Sequence, residues 1–125
     1  MKTFAVFVVA LTESGNWAAT TRPNGGIGLA GGKLDDGETP QEAAIREAYE
    51  EGWVICPDSL ILIHEQEVDG KPVEYYVSTK TAVMLKVWKE QDRLMPVAVD
   101  YYQLLNSGFG NENAMPKAKL KLEEL

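Results

Sequence analysis

Gly32-Lys33-Leu34-Asp35-Asp36-Gly37-Glu38-Thr39-Pro40-Gln41-Glu42-Ala43-Ala44-Ile45-Arg46-Glu47-Ala48-Tyr49-Glu50-Glu51, followed directly by Gly52, joins a glycine-bearing approach to a segment with the marks of a helix. Thr39 can accept a backbone hydrogen bond as N-cap, Pro40 suits the first helical position, Glu42 stands third, where it can close a capping box, and Gly52 supplies a stop. At about 100° per residue, Glu47, Glu50 and Glu51 fall in one sector and Ile45 and Tyr49 on the opposite side, which predicts an acidic face and a core face. Carboxylates crowded on one face repel each other, and with Glu42 close by, Arg46 is the local cation. A hard divalent ion over that face reverses the cost, because Mg²⁺ takes oxygen ligands and shares its coordination shell with waters and phosphates. Taken alone, the helix has a plainer reading as a solvated acidic surface.

Upstream, six of the eleven glycines fall between Gly25 and Gly37, which predicts a backbone-driven loop where close approach or positive φ matters more than side chains. Residues 4–11, rich in Val and Phe, predict a buried first strand; the turn formers Thr12-Glu13-Ser14-Gly15-Asn16 and the resumption at residues 17–21 predict that it opens a hairpin. Downstream, residues 60–68 and 73–79 flank the turn Asp69-Gly70-Lys71-Pro72 and predict a second hairpin. Residues 82–88 are apolar and suit a strand or a helix, residues 97–99 a short strand, and residues 100–105 a helix opened by an Asp100 cap. Residues 116–125 suit a charged amphipathic helix or a frayed end. No repeat, low-complexity tract or linker interrupts the chain.

With 125 residues, 45% hydrophobic and 25% charged, the chain is expected to form a single domain over 1–125. Nineteen acidic residues against twelve basic ones give a formal charge of −7, which repels a nucleic-acid backbone over most of the surface. A phosphate ligand would therefore need local cations, and a divalent metal supplies them. The single cysteine, Cys56, excludes an internal disulfide, is expected to be a buried free thiol, and suits a reducing cytoplasm. The apolar run at residues 4–11 is too short to span a bilayer and lacks a small-residue cleavage pattern, so no membrane association is expected.

The stretch from Gly32 to Glu51 resembles the Nudix box, G-x5-E-x7-R-E-U-x-E-E-x-G-U with U apolar. Gly32, Glu38, Arg46-Glu47 and Glu50-Glu51 match in register, six fixed identities at fixed spacing. Two departures stand beside them. The family pattern places one residue between the glutamate pair and the closing glycine, whereas here Gly52 follows Glu51 and Trp53 holds the glycine's place; and Ala30 stands where many relatives have proline. The resemblance implies an α/β fold, the Nudix α/β/α sandwich with a mixed sheet and a loop-helix-loop motif. It implies hydrolysis of a phosphoanhydride with Mg²⁺, or Mn²⁺ in its place, as cofactor. Residue by residue, Glu50 and Glu51 would be the main metal ligands, Glu47 a further ligand or the general base, and the Gly31 carbonyl would lie near the metal. Arg46 would hold the carboxylates in place, and Glu38 would brace the loop or assist at the metal. Water acidified by metal would attack phosphorus after losing its proton to a carboxylate.

Outside the box, Glu90 or Asp92 is a candidate to complete a metal site, against a solvated turn as the plainer reading. Arg22 could reach a substrate phosphate or sit in a surface salt bridge. His64, alternating with Ile61 and Ile63, reads as solvent-facing or hydrogen-bonded rather than catalytic. The polar, aromatic segment of residues 107–113 suits a loop that stacks Phe109 on a base and reads its edge with Asn111, with Asn113 next in line, or an ordinary surface loop. Trp53 and Tyr75 could stack on a base or belong to the core. The expected partner is a small nucleotide, with neither nucleic acid nor membrane, in a monomer or homodimer. Three classes of function compete: a pyrophosphohydrolase, a nucleotide sensor of the same fold without turnover, and an acidic interaction module without metal dependence. The box leaves open the choice among ADP-ribose, nucleotide sugars, dinucleoside polyphosphates and nucleoside triphosphates, because groups outside it set specificity.

Overall fold

The computed structural model describes residues 2–125. A central mixed sheet is built from β1 (Ala5–Val9), β4 (Ala30–Lys33), β6 (Leu60–Val68) and β7 (Lys71–Ser78), in the order β4-β1-β7-β6. β1 runs antiparallel to β4 and parallel to β7, with Ala5 opposite both Lys33 and Val73. The alternation of β1 divides the core. Ala5 and Val9 join Tyr75, Val77, Leu104 and Met115 on one face, while Val6 and Val8 join Tyr76, Ala44, Ala48 and Trp53 on the other. The first face is covered by α2 (Tyr101–Leu105) and α3 (Asn111–Glu123), the second by α1 (Pro40–Glu50), which makes the three-layered α/β/α sandwich. A second sheet pairs β2 (Trp17–Thr21) with β3 (Ile27–Gly28) and β9 (Pro96–Val99), and β5 (Trp53–Val54) pairs with β8 (Val83–Met84).

The first hairpin expected from the sequence does not form. Only its turn end is made, where Thr12 N–H donates to the Asn16 carbonyl and Ala18 N–H to the Ala10 carbonyl at 2.8 Å each around the Leu11–Trp17 bridge; β2 itself belongs to the second sheet, because both edges of β1 are taken by β4 and β7. The glycine stretch differs too, since Gly28, Gly31 and Gly32 lie in strands. Their role is close approach: a Cβ on Gly31 would collide with the Val6 carbonyl oxygen. The second hairpin forms with a tighter turn at Asp69-Gly70, Lys71 already pairing with Val68. Only Val83 and Met84 of the ambiguous apolar run are strand.

Local chemistry explains the helices. Glu42 N–H donates to Thr39 Oγ1 at 3.2 Å and Thr39 N–H to Glu42 Oε1 at 2.9 Å, a capping box worth about 1 kcal/mol. Asp100 and Gln103 repeat it on α2 at 3.0 Å each way. The last helix begins at Asn111, five positions before Pro116, because Ala114, Met115 and Ala118 already bury a stripe against the sheet. The core face expected at Ile45 and Tyr49 lies elsewhere on α1: the core stripe is Ala43, Ala44 and Ala48, while Ile45 is only partly buried and Tyr49 is exposed. Small side chains let the helix lie close on the sheet.

Candidate active site

Glu51 follows Ala44 and Ala48 at i+7 and i+3, so it continues the stripe that faces the core and is only 2% exposed. Glu47 and Glu50 lie at the edge of that stripe and are half-buried. Burial pushes the Glu51 carboxyl up to about 8; Arg22 opposes this, Glu47 adds to it, and an N–H from Gly31 at 3.4 Å opposes it again. Burial likewise raises Glu47, against the hydrogen bond from Arg46. Gly32 makes room for Glu47, since a Cβ there would stand 2.6 Å from its carboxyl carbon.

The closing glycine is explained by the backbone. Glu51 is the C-cap of α1, and Gly52 adopts φ +104 immediately after it, with the Pro96 ring 2.5 Å from where a Cβ would be. Trp53 then turns into the core, 1% exposed, its indole N–H donating to the Ala19 carbonyl at 2.8 Å. It is not a surface for stacking.

Arg46 ties the acidic groups together. Its guanidinium donates to Glu38 at 2.6 and 3.0 Å, to Glu47 at 3.0 Å, to Glu50 at 3.3 Å and to the Lys33 carbonyl at 3.0 Å. Its hydrogen bonds, to Glu38 first, hold Arg46 above its ordinary pKa, and the Arg46 bond holds Glu38 below its own. Glu38 also accepts the Asp35 N–H at 2.8 Å, bracing the turn before the helix.

From the other side of the chain Glu90 arrives, its N–H on the Glu50 carbonyl at 3.2 Å. Carboxylate oxygens of Glu47, Glu50 and Glu90 converge within 4.8 Å of one another, while Asp92 is exposed. The helix ends among these charges with no basic residue in its last turn, where its dipole already disfavours anions. Arg46 and Lys89, the latter 3.6 Å from Glu50, offset part of that charge. A set of oxygen donors with an uncompensated negative potential suits a hard divalent cation.

Beside this cluster lies a cavity of about 750 Å³ on the other face of β1 and β4, within the range that holds a nucleotide-sized ligand. Gly31 and Gly32 border it toward the carboxylates, and Phe7, Tyr75, Phe109 and Asn111 form an aromatic and polar end. Phe7 and Tyr75 stack at 5.5 Å, and the Tyr75 hydroxyl donates to the Phe109 carbonyl. Arg22 lines the same cavity; it donates to the Leu29 carbonyl at 2.6 Å and, among the described residues, makes no ion pair within 4.0 Å. Asn111 belongs to the first turn of α3 rather than to the loop, and Asn113 is exposed. His64 is held by Gln66 and Lys117 at 2.8 Å each, and Cys56 is a half-buried free thiol. Among the described residues no helix is long and apolar enough to cross a membrane.

A mixed sheet between helices, with a glycine-flanked helix whose glutamates meet Gly31 and Gly32 at the border of a cavity, defines a class of hydrolases acting on phosphoanhydride bonds. The chain belongs to the Nudix family: the NUDIX domain model matches residues 1–97. Among solved structures, a study of MutT from Aliivibrio salmonicida and Vibrio cholerae gives TM-score 0.69 at 19% identity over all of both chains. A crystal structure of an ADP compounds hydrolase gives 0.74 at 19% identity over 96% of this chain and 72% of that one. A MutT NUDIX hydrolase from Burkholderia pseudomallei gives 0.71 at 20% over 94% and 98%. These likenesses concern the fold. No curated protein matches the chain by sequence.

Proposed function

We propose that this protein is a Mg²⁺-dependent pyrophosphohydrolase, with Mn²⁺ as a substitute, that cleaves a nucleoside diphosphate linked to another moiety. The observation that carries the reading is the convergence of Glu47, Glu50 and Glu90 within 4.8 Å beside a nucleotide-sized cavity. Those three residues and the neighbouring Glu51 would hold the metal, with the Gly31 backbone next to them. Such an ion supplies a more acidic water and neutralises charge on the departing phosphate. Arg46 orients Glu47 and Glu50 through charge-assisted hydrogen bonds, Glu38 fixes Arg46, and Gly32 leaves space for Glu47. A carboxylate of this set accepts the proton of the attacking water. Arg22, free of ion pairs among the described residues, contributes its remaining N–H groups to a phosphate oxygen, and the base lies toward Phe109, Tyr75 and Asn111.

The complete carboxylate set favours turnover over a nucleotide sensor. The early Gly52 is a helix stop at φ +104 directly after the Glu51 cap, and Glu47, Glu50 and Glu90 converge beside it. The test is a phosphate-release and chromatographic screen of ADP-ribose, nucleotide sugars, dinucleoside polyphosphates and nucleoside triphosphates with Mg²⁺ and with Mn²⁺. Turnover in EDTA, or tight nucleotide binding without turnover in either metal, overturns the proposal.

A further inference from the structure

Asn111 is 3% exposed, yet its amide is only half used. Its Nδ2 donates to Ser107 Oγ at 2.6 Å, and Oδ1 has no hydrogen-bond partner among the described residues. No sealed side-chain oxygen or nitrogen in those residues lacks a partner, so Oδ1 keeps access to open space, and Asn111 is a lining residue of the cavity. The direction of the Ser107 bond is decided by chemistry. Ser107 Oγ lies 2.7 Å from the Leu104 carbonyl, which can only accept, so the one hydroxyl hydrogen of Ser107 is spent there. Ser107 must then accept from Asn111, and an amide flipped to bring Oδ1 against Ser107 would set two acceptors 2.6 Å apart. The chain Leu104–Ser107–Asn111 has one polarity.

We infer that Ser107 is a specificity-positioning residue: it locks the Asn111 amide so that the cavity presents a fixed acceptor, which selects a nucleobase offering an N–H at that point. The inference rests on the base lying at this end of the cavity, as proposed above. Without the lock, asparagine reads donors and acceptors alike by turning about its last bond. With it, a base whose edge carries only acceptors leaves Oδ1 unpaired, a loss that a buried site cannot repair.

The inference is tested by binding of matched nucleotides to the full chain with Mg²⁺. ADP is set against purine riboside 5′-diphosphate, which lacks the amino group and has no N–H on its base, and CDP against its 4-deamino analogue. The wild type is expected to favour the amino-bearing member of at least one pair by about tenfold, the factor one such hydrogen bond commands. Ser107→Ala is expected to bring that ratio within about twofold, and Ser107→Thr, which keeps the hydroxyl, to restore it. General loosening of the loop lowers both members of a pair together and leaves the ratio alone. A ratio unmoved by Ser107→Ala in a protein whose nucleotide affinity does depend on Asn111→Ala overturns this inference alone, as does a wild type that shows no preference. Affinities for all four nucleotides that ignore Asn111→Ala overturn the placement of the base and this inference with it.

Discussion

Replacing Glu51 with glutamine removes a charge that the metal-free protein holds at a disadvantage. The Glu51 carboxyl is buried beneath the end of α1, and that burial is the first cause of its rise from 4.5 to about 8. The native state therefore binds this proton more tightly than the unfolded chain does. Below pH about 4.5 both states are protonated and the group is neutral in the balance. Between about 4.5 and about 8 the unfolded chain has released the proton and the native state has not, so stability falls as pH rises, and above about 8 the loss is complete. At 1.36 kcal/mol per pH unit, that interval amounts to about 5 kcal/mol at most. The glutamine amide would keep an oxygen for the Gly31 N–H without carrying the charge. Urea unfolding in EDTA from pH 5 to pH 9 should then show Glu51→Gln gaining several kcal/mol on the wild type as pH rises. Because the Glu47 charge helps to raise Glu51, the difference between the two curves reports the interacting pair, while groups remote from it cancel. Curves that stay parallel across the range would refute the assignment of a destabilising buried carboxyl at this position.

Gly32→Ala should leave the circular dichroism spectrum intact and weaken Mn²⁺ binding at least tenfold by paramagnetic resonance, since the new methyl displaces the Glu47 carboxyl. Glu90→Gln should lower kcat by at least two orders of magnitude, whereas Asp92→Asn, altering an exposed side chain outside the cluster, should leave it within twofold; a steady-state comparison on one substrate decides between them. Gly52→Ala should lose about 1–3 kcal/mol in urea titration, because φ +104 is unfavourable to alanine and its Cβ meets the Pro96 ring.

What could be read in advance was whatever depends on near neighbours in the chain. The α1 capping box and the Asp100 cap rest on spacings of a few residues, and these appear in the structure where the sequence predicts them; the core face expected at Ile45 and Tyr49 does not, since Tyr49 is exposed and Glu51 continues the buried stripe of Ala44 and Ala48. The choice between Glu90 and Asp92 was not of that kind; it depends on how residues 89–94 fold back on the end of α1, where Glu90 binds the Glu50 carbonyl. Gly31 and Gly32 read as loop because a strand is recognised by alternating side chains, and glycine has none to alternate. Close approach to β1 and to Glu47 was their signal, visible only once those partners are placed. The early start of α3 was hidden for a related reason. Gly110 at its N-cap offers no side-chain bond, while Pro116 advertises a first turn that the helix has already passed. Ser107 gave no signal at all, since its effect on Asn111 lies in the direction of one hydrogen.

The parallel pairing of β1 with β7 also sets the order in which this molecule can assemble. Residue 5 finds its partner at residue 73, so β1 stands in the middle of a sheet whose other half is synthesised nearly seventy residues later. A growing chain that has produced β4 and α1 can pair one edge of β1 and cover one of its faces. The second edge remains open until β7 leaves the ribosome, and the second face until α3 does. High separation between contacting residues slows folding, and an unpaired apolar edge invites association with other chains. Nascent chains halted before residue 71 should be the aggregation-prone species, and chaperones that shield strand edges should matter most during that interval.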